Sequence, residues 1–556
     1  MIPKWSTACP DWEQRIVEGR SLIPFAPLFP EEARQALEVF NSLKLISVLG
    51  EPTFAEAGLP WLKDLVQALF GSYDSVSGQR LIQHYMLLVA KKNGKSESAA
   101  GIMMTALIRN FRKSGQFSIL SPTKQIADNS FLPALDMVRH DNNLAKFLHV
   151  KENQRIILHR NTGASLKVVA ADSEAVGGGK NIGLLVDELW LFGKREEAER
   201  MLTEATGGLA SRPEGFVIYS TTQSDKPPAG VFLKTLDRFR AIRDGKIVDN
   251  TSLPILFEYP SKMIKEKAYL DSKTFYIPNP NLGASVSEQN ILNVFEKAKQ
   301  DGPAALADFL AKRLNVEIGM GLRSDGWAGA HVWSKGEDKT LKLESLIERS
   351  EVLIVSLDGG GLDDLLGLGV MGREAGTNNW LDWNLAFISP IGMERRKANE
   401  PVYQDFIDDG DLIFVEELPD DVMQLIEIVR QCKDSGKLHC VGADPAGLGI
   451  LVDALNAIGI TEENGMLVGV KQGVALMGAI KAVERKLADG TFKHAGQPIM
   501  AWCAGNAVSV PTPTGMRIAR DESGYGKIDP LMATFNCAAL MSLNPESAAV
   551  PEIYFL

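Results

Sequence analysis

The sequence predicts an α/β protein built from two α/β domains in tandem. Three observations carry this. Apolar, β-rich runs alternate with helical stretches through the first half; a Gly-Lys-Ser at 94–96 follows one such run and opens a helix; and a second set of strand-like runs, after residue 350, ends repeatedly in aspartate. Such alternation implies parallel strands covered by helices. A chain of 556 residues also exceeds one ordinary core.

The first-half runs are "MLLVA", "FSILSP", "IGLLVDELWLF" and "GFVIYSTTQ". From Leu253 to Trp333 the pattern is mostly helical and charged, broken at "YIPNPNLGASVSEQN", with "AALADFLAKRLNVEIG" as an amphipathic helix. The second strand-rich region opens at "EVLIVSLDGGGLDDLLGLGVMGRE" and continues through "NWLDWNLAFISP", "KLHCVGADPAG", "MLVGVKQG" and "QPIMAWCAGNAVSV". The expected division is an N-terminal domain over 1–250, a helical linker or lid over 251–345 and a second domain over 346–556. Its last boundary falls in the charged stretch between Trp333 and Glu351.

Composition narrows the function classes. A hydrophobic share of 45% with 23% charged residues is that of a soluble globular protein. The net charge of -11 excludes a uniformly basic coat for nucleic acid and leaves room for a local basic channel. Five scattered cysteines have neither metal-site spacing nor the look of a disulfide framework, so reduced, buried thiols are expected. No apolar run reaches the ~18 residues of a membrane span. The first twenty residues carry acids where a signal peptide needs an apolar core, so a soluble, intracellular protein is expected.

"VAKKNGKS" ends like a Walker A loop, GxxxxGK[ST], with Gly94, Lys95 and Ser96 in register but Val89 where the first glycine belongs. In that pattern backbone N–H groups cradle phosphates, the lysine reaches the β- and γ-phosphates, and the hydroxyl ligates magnesium. Lys91 and Lys92 add positive charge. A Walker B strand should follow, and "NIGLLVDELW" supplies it: Asp187 would hold the cation and Glu188 would activate water. "FVIYSTTQS" ends in Ser220, Thr221 and Thr222, hydroxyls suited to sensing the γ-phosphate.

In the second half, a two-metal nuclease needs carboxylates converging on one face. Asp358 ends one strand, Asp444 ends another, and Asp529 opens an apolar helix in "KIDPLMATFNCAAL". Strand end, strand end, helix start is the order of an RNase H-like nuclease. Asp363 and Asp364 lie near Asp358 and could supply an extra ligand, but read first as a solvated turn.

With these motifs in hand, the chain resembles the large terminase subunits of tailed bacteriophages from about Pro60 to Leu540. The resemblance rests on "LPWLKDLVQALFG", "AKKNGKS", "LLVDEL", "YSTTQS", "IPNPNLG", "FLAKRLN", "GTFKHAGQPIMAWCAGNAVSV" and "YGKIDPLMA", in that order. In that family the opening glycine of the loop is often absent. The resemblance implies a P-loop (ASCE-type) ATPase domain followed by an RNase H-like nuclease domain. It implies a motor that hydrolyses ATP to package double-stranded DNA into a procapsid and cleaves concatemeric DNA. ATP binding falls to Gln67, with Trp61 beside it, and to Lys91, Lys92, Asn93, Gly94, Lys95, Ser96 and Asp187. Coupling falls to Ser220, Thr221 and Thr222. Catalysis falls to Glu188, Asp358, Asp444 and Asp529. Ser96 and Asp187 would hold Mg2+ at the ATPase site, and the three aspartates Mg2+ or Mn2+ at the nuclease site. Implied partners are the portal protein, a small terminase subunit and further copies in a ring, usually a pentamer, with a monomer in isolation and the host cytoplasm as location.

Two departures stand out. Arg517 and Arg520 replace a lysine common in related chains, and "PAGLG" follows Asp444 where a bulkier residue is usual. Arg200 and Arg212 are both candidates for an arginine finger. The alternatives at this point are an ATP-driven translocase or helicase without nuclease activity, and an inactive scaffold linking capsid and DNA.

Overall fold

Along the strand before the phosphate loop, alternate residues bury on opposite faces: Tyr85, Leu87 and Val89 join one core, Met86 and Leu88 another. A strand buried on both faces belongs inside a parallel sheet. The computed structural model describes residues 5–170, 181–194, 198–318, 326–362, 364–443, 449–520 and 526–546. The chain forms two units, Met1–Arg323 and Ser324–Leu556.

In the first unit β1 (Tyr73–Asp74) and β2 (Gln79–Arg80) make a small hairpin apart from the main sheet. The main sheet contains β3 (His84–Leu88), β4 (Gln116–Ser121), β5 (Leu148–Lys151), β6 (Ile156–His159), β7 (Ser165–Ala170), β8 (Asn181–Asp187), β9 (Phe216–Thr221) and β10 (Ser252–Leu256). Their order is β10-β3-β9-β8-β4-β7-β6-β5, parallel except where β6 pairs with β7 and β5. One strand, β9, therefore separates the loop strand β3 from the acid-bearing strand β8, which is the ASCE arrangement. The helix Lys95–Ile108 is apolar almost all round because it is buried within the core.

The region from 251 is not a separate lid. β10 is an edge strand of this sheet, paired with β3, and Phe295, Phe309, Leu310 and Leu314 of the helices Glu288–Asp301 and Pro303–Leu314 enter its core. The expected boundary after Trp333 also shifts. Trp327 and Trp333 bury in the second unit, Trp327 edge-on to Phe535 and Trp333 stacked on His494.

The second unit's sheet contains β11 (Ser350–Gly359), β12 (Leu366–Glu374), β13 (Trp380–Ile388), β14 (Leu412–Phe414), β15 (Leu438–Ala443), β16 (Leu467–Gly469) and β17 (Phe492–His494). The order is β14-β13-β12-β11-β15-β16, with β17 also on β13. β11 to β13 are antiparallel, whereas β15 runs parallel to β11, as in RNase H-like folds. β18 (Ala507–Thr512) and β19 (Gly515–Arg520) form a separate hairpin. The stretch read as strand-like in "QPIMAWCAGNAVSV" is a helix, Pro498–Asn506, followed by β18. The helix Asp529–Met541 packs on β11 and β12. All five cysteines are buried and free. Among the described residues no helix is long and apolar enough to cross a membrane.

Candidate functional site

The phosphate loop spans the turn from β3 to its helix. Gly94 sits at φ +68 in the left-handed region that glycine enters without strain, and Lys92 at φ +77 pays for the same turn with a side chain. The first N–H groups of the helix Lys95–Ile108 lack intrahelical acceptors, which makes its start an anion cradle. Asn93 is fully buried and braces the loop: its Nδ2 donates to Ala90 O (2.9 Å) and Asn279 Oδ1 (2.8 Å), and its Oδ1 accepts from Asn281 N (3.0 Å). Trp61 Nε1 in turn donates to Asn281 Oδ1 at 2.8 Å. Gln67 is half-buried on the same helix as Trp61, Pro60–Phe70, where its carbonyl accepts the capping N–H of Gly71. Lys91 and Lys92 are exposed and Ser96 is half-buried.

Lys95, Asp187 and Glu188 meet. The Lys95 ammonium lies 2.7 Å from Glu188 Oε1 and 3.5 Å from Asp187 Oδ1, with 6% of its side chain exposed. Burial opposes its charge, but the two carboxylates overcome this and hold its pKa above the ordinary value. Burial also raises both acids. In Glu188 the closer contact to Lys95 wins and the pKa falls; in Asp187 burial wins and it rises. Ser130 Oγ donates to Asp187 Oδ2 (2.8 Å), and Trp190 Nε1 donates to Glu188 Oε2 (2.6 Å). Glu188 stands at φ +54, a strained conformation for a side-chain-bearing residue.

The tip of β9 lies between these parts. Thr221 O accepts from Val89 N of the loop (3.1 Å), and Thr221 Oγ1 accepts from Trp190 N (3.1 Å) and donates to Thr222 O (2.8 Å). Ser220 pairs in register with Asp187, and Ser220 and Thr222 are buried. Lys312, missed by sequence reasoning, joins the same cluster. Its carbonyl accepts from Lys91 N (2.8 Å), and its Nζ donates to Gln223 O (2.9 Å). Burial pulls its ammonium down to about 7, opposed by Asp225 and helped by Lys91. Of the arginines, Arg212 precedes β9, at the opposite end of that strand from Thr221, and Arg200 is exposed on the helix Ala198–Gly207.

In the second unit, Asp358 and Asp529 border the same two glycines. Asp358 is opposite Gly367 across β11–β12, and a Cβ on Gly367 would lie 2.7 Å from the Asp529 backbone carbon. A Cβ on Gly359, the residue after Asp358, would lie 3.4 Å from the Asp529 Cβ. Asp529 is half-buried with its Oδ2 sealed from solvent, and that burial raises its pKa against the pull of Lys527, Arg520 and Arg396. Its Oδ2 has no hydrogen-bond partner among the described residues. A buried carboxylate oxygen without a donor suits a hard cation, which makes Asp529 a candidate ligand; among the described residues no group of three or more His, Cys, Asp or Glu side chains is gathered closely enough to hold a metal ion. Ala443, which precedes Asp444, lies opposite Leu357, which precedes Asp358. Asp444 itself and Asp363 lie outside the described residues. Asp364 is not the solvated acid expected: it ion-pairs with Lys527, whose side chain is 2% exposed. Asp382, unmarked in the sequence, is fully buried on β13 and takes a hydrogen bond from Thr534 Oγ1 at 3.0 Å.

A phosphate loop facing an acid pair across one interposed strand defines a nucleoside-triphosphate hydrolase, and the RNase H-like sheet with its aspartates adds a metal-dependent nuclease. The family model for the endonuclease domain of the terminase large subunit matches residues 255–542, and that for its ATPase domain matches residues 60–229. The chain belongs to that family: it is a terminase large subunit, a DNA-packaging enzyme joining an ATPase to an endonuclease. It is 23% identical to the terminase large subunit of Enterobacteria phage HK97 over 491 residues, 87% of this chain and 90% of that protein. It is 24% identical to protein YmfN of Escherichia coli K12 over 288 residues, 48% of this chain and 58% of YmfN. The crystal structure of the HK97 large terminase matches with a TM-score of 0.49 and 20% identity, covering 91% of this chain and 99% of that one.

Proposed function

We propose that this chain turns over ATP at the Lys95–Glu188 site to drive double-stranded DNA into a procapsid, and cuts concatemeric DNA at the Asp358–Asp529 site. The observation that supports this most is the convergence of Lys95, Asp187 and Glu188 within 3.5 Å at the start of a buried helix. The N–H groups of the loop and of the helix start receive the phosphates, and Lys95 exchanges its carboxylate partners for the β- and γ-phosphates. Gln67 and Trp61 flank the adenine. Ser96 and Asp187 would hold Mg2+, which would neutralise charge on the phosphates. Glu188 takes the proton of the attacking water as its oxygen bonds to the γ-phosphorus and the bond to the β–γ bridging oxygen breaks. Lys91 or Lys92 steadies the departing phosphoryl group. Its loss is relayed through Ser220, Thr221 and Thr222, with Thr221 the contact shared by loop and acid strand.

At the second site Asp358, Asp444 and Asp529 would hold Mg2+ or Mn2+, which would supply Lewis-acid stabilisation of the charge that develops as the phosphodiester is cut. Backbone phosphates are gripped by lysines and arginines, so binding is salt-sensitive and largely blind to sequence. The partners are the portal protein of the procapsid, a small terminase subunit and further copies of this chain in a ring, most simply a pentamer, formed from monomers in the host cytoplasm. Plasmid cleavage by the full chain tests the reading. With Mg2+ or Mn2+ the natural chain linearises the plasmid and Asp358→Ala does not. A natural chain that never cuts with either ion would favour an ATP-driven translocase without nuclease activity.

A further inference from the structure

The last turn of the helix Pro303–Leu314 reaches the ATPase site through one buried side chain, Lys312. Its Nζ lies 3.0 Å from the centroid of the Trp190 ring, donates to Gln223 O at 2.9 Å and stands 3.8 Å from Asp225 Oδ1. Asn315, at φ +48 just past the helix, accepts from Gln223 N (3.2 Å) and donates to Phe257 O (3.0 Å). The helix end is thus tied to the segment that follows Thr222. Trp190 stands between Lys312 and Glu188, its face toward the Lys312 Nζ and its Nε1–H toward Glu188 Oε2 at 2.6 Å. Both contacts match the ring's charge distribution, negative on the face and positive at the N–H edge.

Glu188 has two side-chain partners among the described residues, Lys95 on Oε1 and Trp190 on Oε2. A phosphate that recruits Lys95 leaves the indole to aim the carboxylate, against the strain of φ +54. We propose that Lys312 and Trp190 form a positioning pair that aims the Glu188 carboxylate, so that the end of the helix Pro303–Leu314 helps to set the rate of ATP hydrolysis. This rests on the reading of Glu188 as the group that deprotonates water. Neither Lys312 nor Trp190 touches a reacting atom in this arrangement; both act through Glu188.

The test is steady-state ATP turnover by the full chain for Trp190→Phe, Lys312→Met, Lys312→Arg and the double variant Trp190→Phe/Lys312→Met. Trp190→Phe keeps a ring face but removes the N–H. Lys312→Met keeps length and apolar stem but removes the charge. Each is expected to lower kcat by roughly tenfold or more with KM for ATP little changed, as loss of aim does. The double variant should be no slower than the worse single one, because the pair acts as a unit. Lys312→Arg should recover part of the rate by restoring a cation over the ring. Unchanged kcat in Lys312→Met, a rise in KM that accounts for the loss, or full additivity in the double variant would overturn the proposal. Glu188→Gln separates the two readings. If it turns over ATP normally, the assignment of the base fails; if it is inactive while Lys312→Met is normal, only the positioning pair fails.

Discussion

The ammonium of Lys95 rests 2.7 Å from the carboxylate of Glu188, with both groups largely sealed from solvent. Removing one partner of such a buried pair strands the other charge, at a cost of about 3–5 kcal/mol. The phosphates of ATP need the same ammonium, so nucleotide binding exchanges one anion for another instead of filling an unpaired site. Lys95→Ala is therefore expected to abolish ATP turnover and to lower the thermal stability of the ATPase unit. Adding Glu188→Gln to Lys95→Ala should restore much of the stability and none of the turnover. Calorimetry of the single and double variants checks this; a melting temperature unmoved by Lys95→Ala would count against the buried pair.

Gly367 is a second point where geometry makes a sharp forecast. A Cβ there would lie 2.7 Å from both the Asp529 carbonyl carbon and the Pro530 nitrogen, closer than real contacts allow. Gly367→Ala should push the helix that begins at Asp529 off β12 and cut plasmid cleavage by about 100-fold or more, as an ångström-scale misplacement does. ATP turnover should be unaffected. Cleavage at the natural rate would mean that Asp529 does not need this close approach.

Asp382 predicts a pH dependence in the second unit. Burial raises its carboxyl from the ordinary 3.8 to about 7, with the Thr534 hydrogen bond pulling the other way. The folded chain therefore keeps a proton that the unfolded chain releases between about pH 4 and 7, so this contribution to stability is present below that window and is lost as pH rises through it. The full swing is about 4 kcal/mol. Thermal unfolding of the nuclease unit should show Asp382→Asn matching the natural chain near pH 4 and exceeding it at pH 8. Parallel curves for the two proteins across that range would contradict the assignment.

Much of both sites could be read from the chain because their parts are contiguous in it. Strand, loop and helix at 84–108 form one local unit, and an acid pair ending an apolar strand needs no tertiary knowledge. What could not be read lies far away in sequence. Asn93 is held by Asn279 and Asn281, and Trp190 by Lys312, contacts set by packing between segments more than a hundred residues apart. Lys312 sits on an amphipathic helix where its charge reads as a solvated face. The strands β5, β6 and β7 do not stand out as apolar runs because β5 and β6 are only four residues long and Ser165 and Lys167 break the run in β7, at the outer end of the sheet. Pro498–Asn506 misled in the opposite way: a short helix buried along most of its length has the same unbroken apolar run as a buried strand. The unit boundary moved because Trp327 and Trp333, just before the charged stretch, find their core around Phe535 and His494.

The most direct measurement is a paired assay of ATP turnover and plasmid cleavage on the full-length chain carrying Lys95→Ala or Asp529→Asn. Two separate phosphate-handling centres predict a clean exchange: Lys95→Ala keeps cleavage and loses turnover, while Asp529→Asn keeps turnover and loses cleavage. Either substitution silencing both activities, or sparing both, would contradict the account.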